Sequence, residues 1–224
     1  KYTIIETEVD GYTPTYGTKV VEGEGEVLTV TNTRSGLIEI PVQKTWIDND
    51  NAEQSRPTSI ILTLTQNDDT TPYRIVQVTP DAEGNWNYTF TEVPEYDADG
   101  NLIAYDVKEI GVPGYATTEV EDNQFVNTLV TEVPFVKAWD GGSTPRPDVT
   151  VRLMAGNVVA SHVDGTAVAP IVLTHPTLNG TFINLPKYDD QGALINYLLV
   201  EDPIRGYKTE INQETRVITN KWED

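Results

Sequence analysis

The chain repeats itself, and that repetition limits the fold more than any other feature. Phe90, Pro94, Tyr96, Asp97 and Gly100 return as Phe182, Pro186, Tyr188, Asp189 and Gly192, at a constant offset of 92 residues. Tyr105, Glu109, Gly114 and Tyr115 return at the same offset as Tyr197, Glu201, Gly206 and Tyr207. Upstream, Lys44, Trp46 and the pair Arg56-Pro57 are answered by Lys137, Trp139 and Arg146-Pro147; downstream, Asn127 is answered by Asn220. Self-similarity at a fixed period means one unit used more than once. Two complete domains are therefore expected, at 37–130 and 131–224. Residues 1–36 carry a partial copy, with Glu6, Gly11, Tyr12 and Asn32 matching the end of a unit whose beginning is missing. The joints at 33–36 and 129–132 are short, which predicts a string of units with little slack.

The units read as all-β. Thr, Val and Ile number 30, 25 and 16 among 224 residues, and β-branched side chains suit a pleated, half-buried surface better than a helix. No stretch sustains helical apolar spacing, whereas short alternating runs such as 60–64 and 86–90 lie between turn clusters such as 97–101. Short strands at regular spacing predict immunoglobulin-like β-sandwiches in tandem.

Charge and composition exclude whole classes of function. A formal net charge of −20, from 15 basic and 35 acidic residues, repels phosphate backbones and anionic lipid heads, so neither nucleic acid nor membrane is an expected partner. No apolar run is long enough to span a bilayer, and no signal-peptide pattern opens the chain. The absence of Cys rules out disulfides and thiolate chemistry. His162 and His175 have no counterparts in the first unit, so no His-based metal or catalytic site is expected, and no cofactor. The run Asp48, Asn49, Asp50, Asn51 resembles a calcium loop, but Glu53 and Ser59 stand where an EF-hand needs Gly and Glu; a solvated loop is expected instead.

Three polar residues per unit fall where apolar ones belong. Alternate residues of a strand share a face. Ile38, Ile40, Val42, Lys44 and Trp46 have one parity, as do Val133, Phe135, Lys137 and Trp139. Tyr105 and Val107 lead to Glu109, Tyr197 and Leu199 to Glu201, Phe125 to Asn127 and Ile218 to Asn220. Each unit thus aims an amine, a carboxyl and a carboxamide at its interior, and both Lys-to-Asn separations are 83 residues. Burial lowers a Lys pKa and raises that of a Glu. A neutral Lys is a nucleophile, a protonated Glu can polarise a carbonyl, and an Asn side chain is an electrophile beside them. Attack of the Lys nitrogen on the Asn carbon would expel ammonia and leave an amide cross-link. The competing reading is a non-covalent buried Lys–Glu pair with a satisfied Asn.

The constellation resembles the B-type repeats of the Gram-positive collagen adhesin, the Cna-B domains. The resemblance rests on Lys44-x-Trp46, Arg56-Pro57, Trp86-x-Tyr88-x-Phe90, Pro94-x-Tyr96-Asp97, Tyr105-x-Val107-x-Glu109, Gly114-Tyr115 and Val126-Asn127, and it covers essentially the whole chain. The second unit departs from it where an apolar or small residue near 178–180 replaces Trp86 and where the loop 140–144 is shorter than 48–55. The resemblance implies autocatalytic isopeptide bonds Lys44–Asn127 promoted by Glu109 and Lys137–Asn220 promoted by Glu201. This is single-turnover maturation rather than enzymatic turnover. In the partial copy, Glu6 and Asn32 fit the acid and the acceptor, but no Lys lies on an apolar strand face before them, so residues 1–36 are expected to carry no closed cross-link. The resemblance further implies stalk repeats of a wall-anchored adhesin or pilin, extracellular on the bacterial surface, with neighbouring repeats as partners and a host ligand bound elsewhere. The alternative is a binding module that captures a host protein or glycan through sandwich loops or an edge strand.

Overall fold

The computed structural model describes residues 3–142 and 144–223. The described residues form strands and turns, with no helix. The chain divides into two compact units, one of residues 1–44 and 58–110, the other of residues 45–57 and 111–224.

In the first unit, β1 (Tyr12–Val21) and β2 (Gly25–Arg34) form an antiparallel hairpin of their own. Then come β3 (Leu37–Ile47, whose last three residues belong to the other unit), β4 (Ile60–Gln66), β5 (Arg74–Val78), β6 (Tyr88–Pro94) and β7 (Tyr105–Glu109). The sheet β5–β4–β7 is antiparallel, and β3 pairs antiparallel with β6 through Val42↔Tyr88. Alternation sorts the side chains: Ile40, Val42 and Lys44 are buried while Glu39, Pro41 and Gln43 are exposed. Leu62, Leu64, Phe90, Val93 and Val107 complete this core. The partial copy differs from expectation at one point, because residues 3–9 form no strand. In the complete repeats the strand carrying the Glu is held by a central partner, Leu62 opposite Glu109 and Val151 opposite Glu201. Among the described residues of 3–36 no strand pairs with this segment. Lys1 and Tyr2 lie outside the described residues.

The second unit holds β8 (Tyr115–Glu121), β9 (Gln124–Asp140), β10 (Val149–Ala155), β11 (Val158–Val159), β12 (Ile171–Leu173), β13 (Asn179–Pro186), β14 (Tyr197–Glu201), β15 (Tyr207–Asn212) and β16 (Val217–Trp222). The joint expected at 129–132 lies inside β9, a single strand of 17 residues. Pairing runs across the boundary: β8 pairs with 124–129, and β13 with 130, 131 and 133–136, with a register shift at Glu132. Ladder pairing on both sides of the repeat boundary leaves no reason for the chain to break there. β16 lies parallel to β9 with Ile218 opposite Lys137, and its other edge pairs with β15. β14 pairs antiparallel with β10, setting Glu201 opposite Val151. Between these sheets Val133, Phe135, Val151, Leu153, Phe182, Leu185, Leu199 and Ile218 form one apolar core.

Two local devices recur in both repeats. The Tyr105 hydroxyl donates to the Pro94 carbonyl at 2.6 Å, and the Tyr197 hydroxyl to the Pro186 carbonyl at 2.7 Å. Asp97 and Asp189 each accept backbone N–H groups from the residues two and four places on, closing turns in which Gly100 and Gly192 supply positive φ.

The region around Trp86 shows how the repeats diverge without losing packing. In the first repeat the cross-strand pair is Val42↔Tyr88, and in the second it is Phe135↔Gly180. A Cβ on Gly180 would lie 2.6 Å from the Phe135 ring. The large ring has moved from one strand to its neighbour, and the facing residue is small in each case.

The loop after β3 is mostly exposed, as expected, and departs from expectation at Asp48. Asp48 is buried, with 1 % of its surface exposed, rather than solvated. Arg56 donates to both of its oxygens at 2.7 Å, and the Tyr115 hydroxyl donates to Oδ2 at 3.0 Å. Burial raises the Asp48 pKa, but the bonds from Arg56, the Asn51 backbone and Tyr115 outweigh it and hold the carboxyl below its ordinary value. The same loop sends Glu53 to Lys187 and accepts the Tyr188 hydroxyl at 2.6 Å. Among the described residues no group of three or more His, Cys, Asp or Glu is arranged to hold a metal ion.

Candidate functional site

In the second unit three strands converge on one buried polar cluster. Lys137 comes from β9, Glu201 from the end of β14 and Asn220 from β16; their exposures are 2 %, 7 % and 0 %. Parity brings each inward, since Phe135, Leu199 and Ile218, two residues earlier on the same faces, are core residues. Lys137 Nζ lies 3.3 Å from Glu201 Oε2, and both side chains are shielded from solvent. The amine also donates to the carbonyls of Ala138 at 3.2 Å and Ile218 at 3.3 Å, and sits 4.6 Å from the centre of the Trp139 ring. Desolvation pushes the Lys137 pKa down, and the adjacent Glu201 carboxylate only partly restores it.

Asn220 is opposite Trp139 in the parallel ladder, one same-face step beyond Lys137. Diagonal neighbours at that offset are about 7–8 Å apart at the backbone, within reach of a long side chain. Neither Nδ2 nor Oδ1 of Asn220 has a hydrogen-bond partner, although both are buried. A buried carboxamide left in that state costs about 1–3 kcal/mol per unsatisfied group. Glu201 Oε1 accepts the Thr209 hydroxyl at 3.0 Å, which leaves Oε2 for the amine. Thr209 was not among the residues the sequence singled out. The signal was available, for Thr117 stands 92 residues before it, and each Thr is the cross-strand partner of its Asn: Thr117↔Asn127 and Thr209↔Asn220.

Trp139 closes the cluster from outside. Its ring meets Tyr207 edge-on at 4.9 Å and lies under the Arg146 guanidinium at 5.1 Å, and Arg146 donates to the Tyr207 hydroxyl at 3.0 Å. Trp46, Tyr115 and Arg56 form the matching lid around the first repeat's loop, with a 4.9 Å ring separation. Water is thereby kept from the amine.

The other sequence-selected residues are placed as follows. Within the first unit Lys44 Nζ lies 3.6 Å from Glu109 Oε2, with both side chains fully shielded. Asn127, within the second unit, is fully buried on β9. In the N-terminal segment Asn32 Nδ2 donates to Glu6 Oε1 at 2.8 Å in an exposed setting. Lys19 is exposed on β1 opposite Val27. His162 contacts the Asn184 carbonyl at 3.2 Å.

The family model described as Cna protein B-type domain matches residues 40–131 and again 133–221. The collagen adhesin of Staphylococcus aureus is 33 % identical over 237 residues, covering 99 % of this chain and 18 % of that protein. Among solved structures, two B repeat units of the S. aureus collagen binding protein are 30 % identical, covering 99 % of this chain and 57 % of that one, with a TM-score of 0.35. A single B repeat unit of the same protein is 25 % identical over 84 % of this chain and 100 % of that one, with a TM-score of 0.38. The chain thus spans under a fifth of the length of its curated relative, and with two successive matches of the family model it belongs to the Cna protein B-type domain family.

Proposed function

We propose that this chain is a stretch of stalk from a Gram-positive surface adhesin or pilin, built of self-cross-linking repeats at 37–130 and 131–224 and displayed outside the cell on the wall. The observation that carries the proposal is the buried, unsatisfied carboxamide of Asn220 beside the shielded Lys137–Glu201 pair. A core tolerates such a group only for a reason, and condensation supplies one. The Lys137 ammonium passes a proton to Glu201. The neutral Nζ then attacks Cγ of Asn220, Glu201 gives its proton to Nδ2 as the carbon–Nδ2 bond breaks, and the proton that Nζ sheds on becoming an amide leaves with the ammonia. In sum, an ammonium and a carboxamide become a secondary amide and an ammonium ion. Orientation within the core supports the rate, since effective molarities for well-placed groups reach about 10⁵ M or more. By the repeat correspondence, Lys44, Glu109 and Asn127 take the same roles in the first complete repeat. Glu6 and Asn32 match the acid and the acceptor in the partial copy, and no lysine among residues 3–36 is placed beside them.

The product explains a stalk. The bond joins the first strand of a repeat to its last, so tension entering by one leaves by the other without unzipping the sheets between. Closing a loop of 83 residues restricts the unfolded chain by about 4–5 kcal/mol on the disulfide analogy. An amide also survives reductants, which suits a chain without Cys. The chemistry consumes its own residues and turns over once. Neighbouring repeats of the same polypeptide are the immediate partners, and capture of a host extracellular ligand belongs to another region of the parent protein. Intact mass under denaturing conditions tests the reading: two ammonia molecules should be missing from the sequence mass. An unshifted mass rejects both bonds.

A further inference from the structure

We infer that Thr209 is a positioning residue for bond formation at Lys137 and Asn220, acting through Glu201. The inference rests on the condensation proposed above and adds a fourth residue to it. A carboxyl group at the end of a Glu side chain rotates about a soft terminal torsion. For proton relay it must present one particular oxygen to the amine. Thr209 donates to Oε1 at 3.0 Å, and Oε2 is thereby directed to Lys137 Nζ at 3.3 Å.

The placement of Thr209 follows from the sheet. It is the cross-strand partner of Asn220 on β15, so the strand that carries the acceptor also aligns the residue that holds the acid. Its β-branched side chain has few χ1 choices, which fixes where the hydroxyl points. A Thr recurs in the same register opposite Asn127, as Thr117, but its buried hydroxyl makes no hydrogen bond, so the contact to the acid is specific to the second repeat. Lys137 is the charged group with a described contact to Glu201, so the two carboxylate oxygens are divided between an amine and a hydroxyl. Neither is directed to the carboxamide. That leaves the Asn220 carbon open to the amine, whereas a direct acid–carboxamide hydrogen bond would hold the acceptor away.

The experiment uses full-length chain recovered unreacted in denaturant and refolded by dilution. Samples are quenched at intervals and digested, and the cross-linked peptides of each repeat are quantified by mass spectrometry. Thr209→Val, which removes the hydroxyl while keeping the shape, should slow the Lys137–Asn220 bond by about 10²-fold, the scale of a small misplacement of a reacting group. Thr209→Ser, which keeps the hydroxyl, should restore the rate; a role in packing alone would not be rescued that way. The Lys44–Asn127 bond serves as the internal clock and should be unaffected. Circular dichroism reports folding, and Thr209→Ala is read in place of Val if the valine variant does not fold. A Thr209→Val or Thr209→Ala rate equal to wild type overturns the role of Thr209 and leaves the condensation standing. A wild-type chain that forms no bond overturns the condensation itself.

Discussion

The molecule contains two acid–carboxamide pairs whose difference is instructive. In the N-terminal segment, Glu6 and Asn32 bond directly to each other at 2.8 Å, in the open. In the second repeat, Glu201 is shared between Lys137 and Thr209, and Asn220 is left buried with nothing to bond. The functional groups are alike, and the amine separates the two cases. With no lysine beside them, the carboxamide donates directly to one oxygen of the acid, while Glu6 Oε2 stays without a partner. With one, the stronger charge-assisted contact draws the acid away, and the carboxamide becomes the unsatisfied member of the cluster. Distance keeps the N-terminal pair from acquiring a lysine from its own hairpin. Asn32 faces Pro14, while Lys19 is five residues further along β1, about 17 Å at the rise of an antiparallel strand.

The strongest way to break this contrast is to remove the acid where the amine is present. Glu201→Ala should leave one ammonia more in the denatured mass than wild type. The second repeat should lose the about 4–5 kcal/mol of the tether, and a buried amine stranded without its partner adds about 3–5 kcal/mol more. Denaturant melts of the variant, followed with the Trp139 signal, would show it as an early transition. A full ammonia loss with Glu201 absent would mean that the amine and carboxamide need no relay.

The size exchange between repeats offers a second test, with an effect of about 1–3 kcal/mol. Gly180→Val forces a side chain into the Phe135 ring and should destabilise the second repeat by that amount through overpacking. Adding Phe135→Val should recover most of the loss, because Val42↔Tyr88 shows that the same ladder position accepts the small residue on the other strand. A double-mutant cycle with no coupling would contradict the compensation.

Asp48 gives a pH dependence that the second repeat lacks, since Gly141 stands at the corresponding place and the neighbouring Asp140 is exposed. The folded pKa of Asp48 is depressed, so its contribution is fully present above the unfolded value of about 3.9. It is lost as pH falls through the lower folded value. Asp48→Asn should remove that acid limb and cost about 1–3 kcal/mol at neutral pH, because Arg56 and Tyr115 lose a charged acceptor. Urea melts across a pH series, compared between wild type and variant, measure both.

The sequence made some of this plain and hid the rest, for physical reasons. Strand parity is a local property, and it placed Lys44, Lys137, Glu201 and Asn220 on buried faces because each strand is regular where those residues sit. Continuity of pairing is not local. The polar stretch near Thr131 and Glu132 reads as a joint, yet β13 supplies partners there and β9 runs through. Asp48 looked solvated because its neighbours Asn49, Asp50 and Asn51 are turn-formers, each with positive φ. Nothing in their order reveals that Arg56, eight residues on, folds back onto it. Thr209 was easy to overlook for another reason. Thr occurs in most strands of this chain, and the register opposite Asn220 is what sets this one apart.

The smallest expected effect bears most directly on the opening contrast. Asn32→Ala removes the N-terminal carboxamide, and the denatured mass should still lack two ammonia molecules, whereas Asn220→Ala should lack one. The stability change should stay within about 0.5 kcal/mol, as for other surface substitutions, because the Glu6–Asn32 bond is exposed and water replaces either partner. Were Asn32→Ala instead to restore an ammonia, the N-terminal site would have found an amine despite the distance to Lys19. A direct acid–carboxamide bond would then be a resting state of the reactive site and not its alternative. The difference between the two pairs would lie in timing rather than in the presence of a lysine.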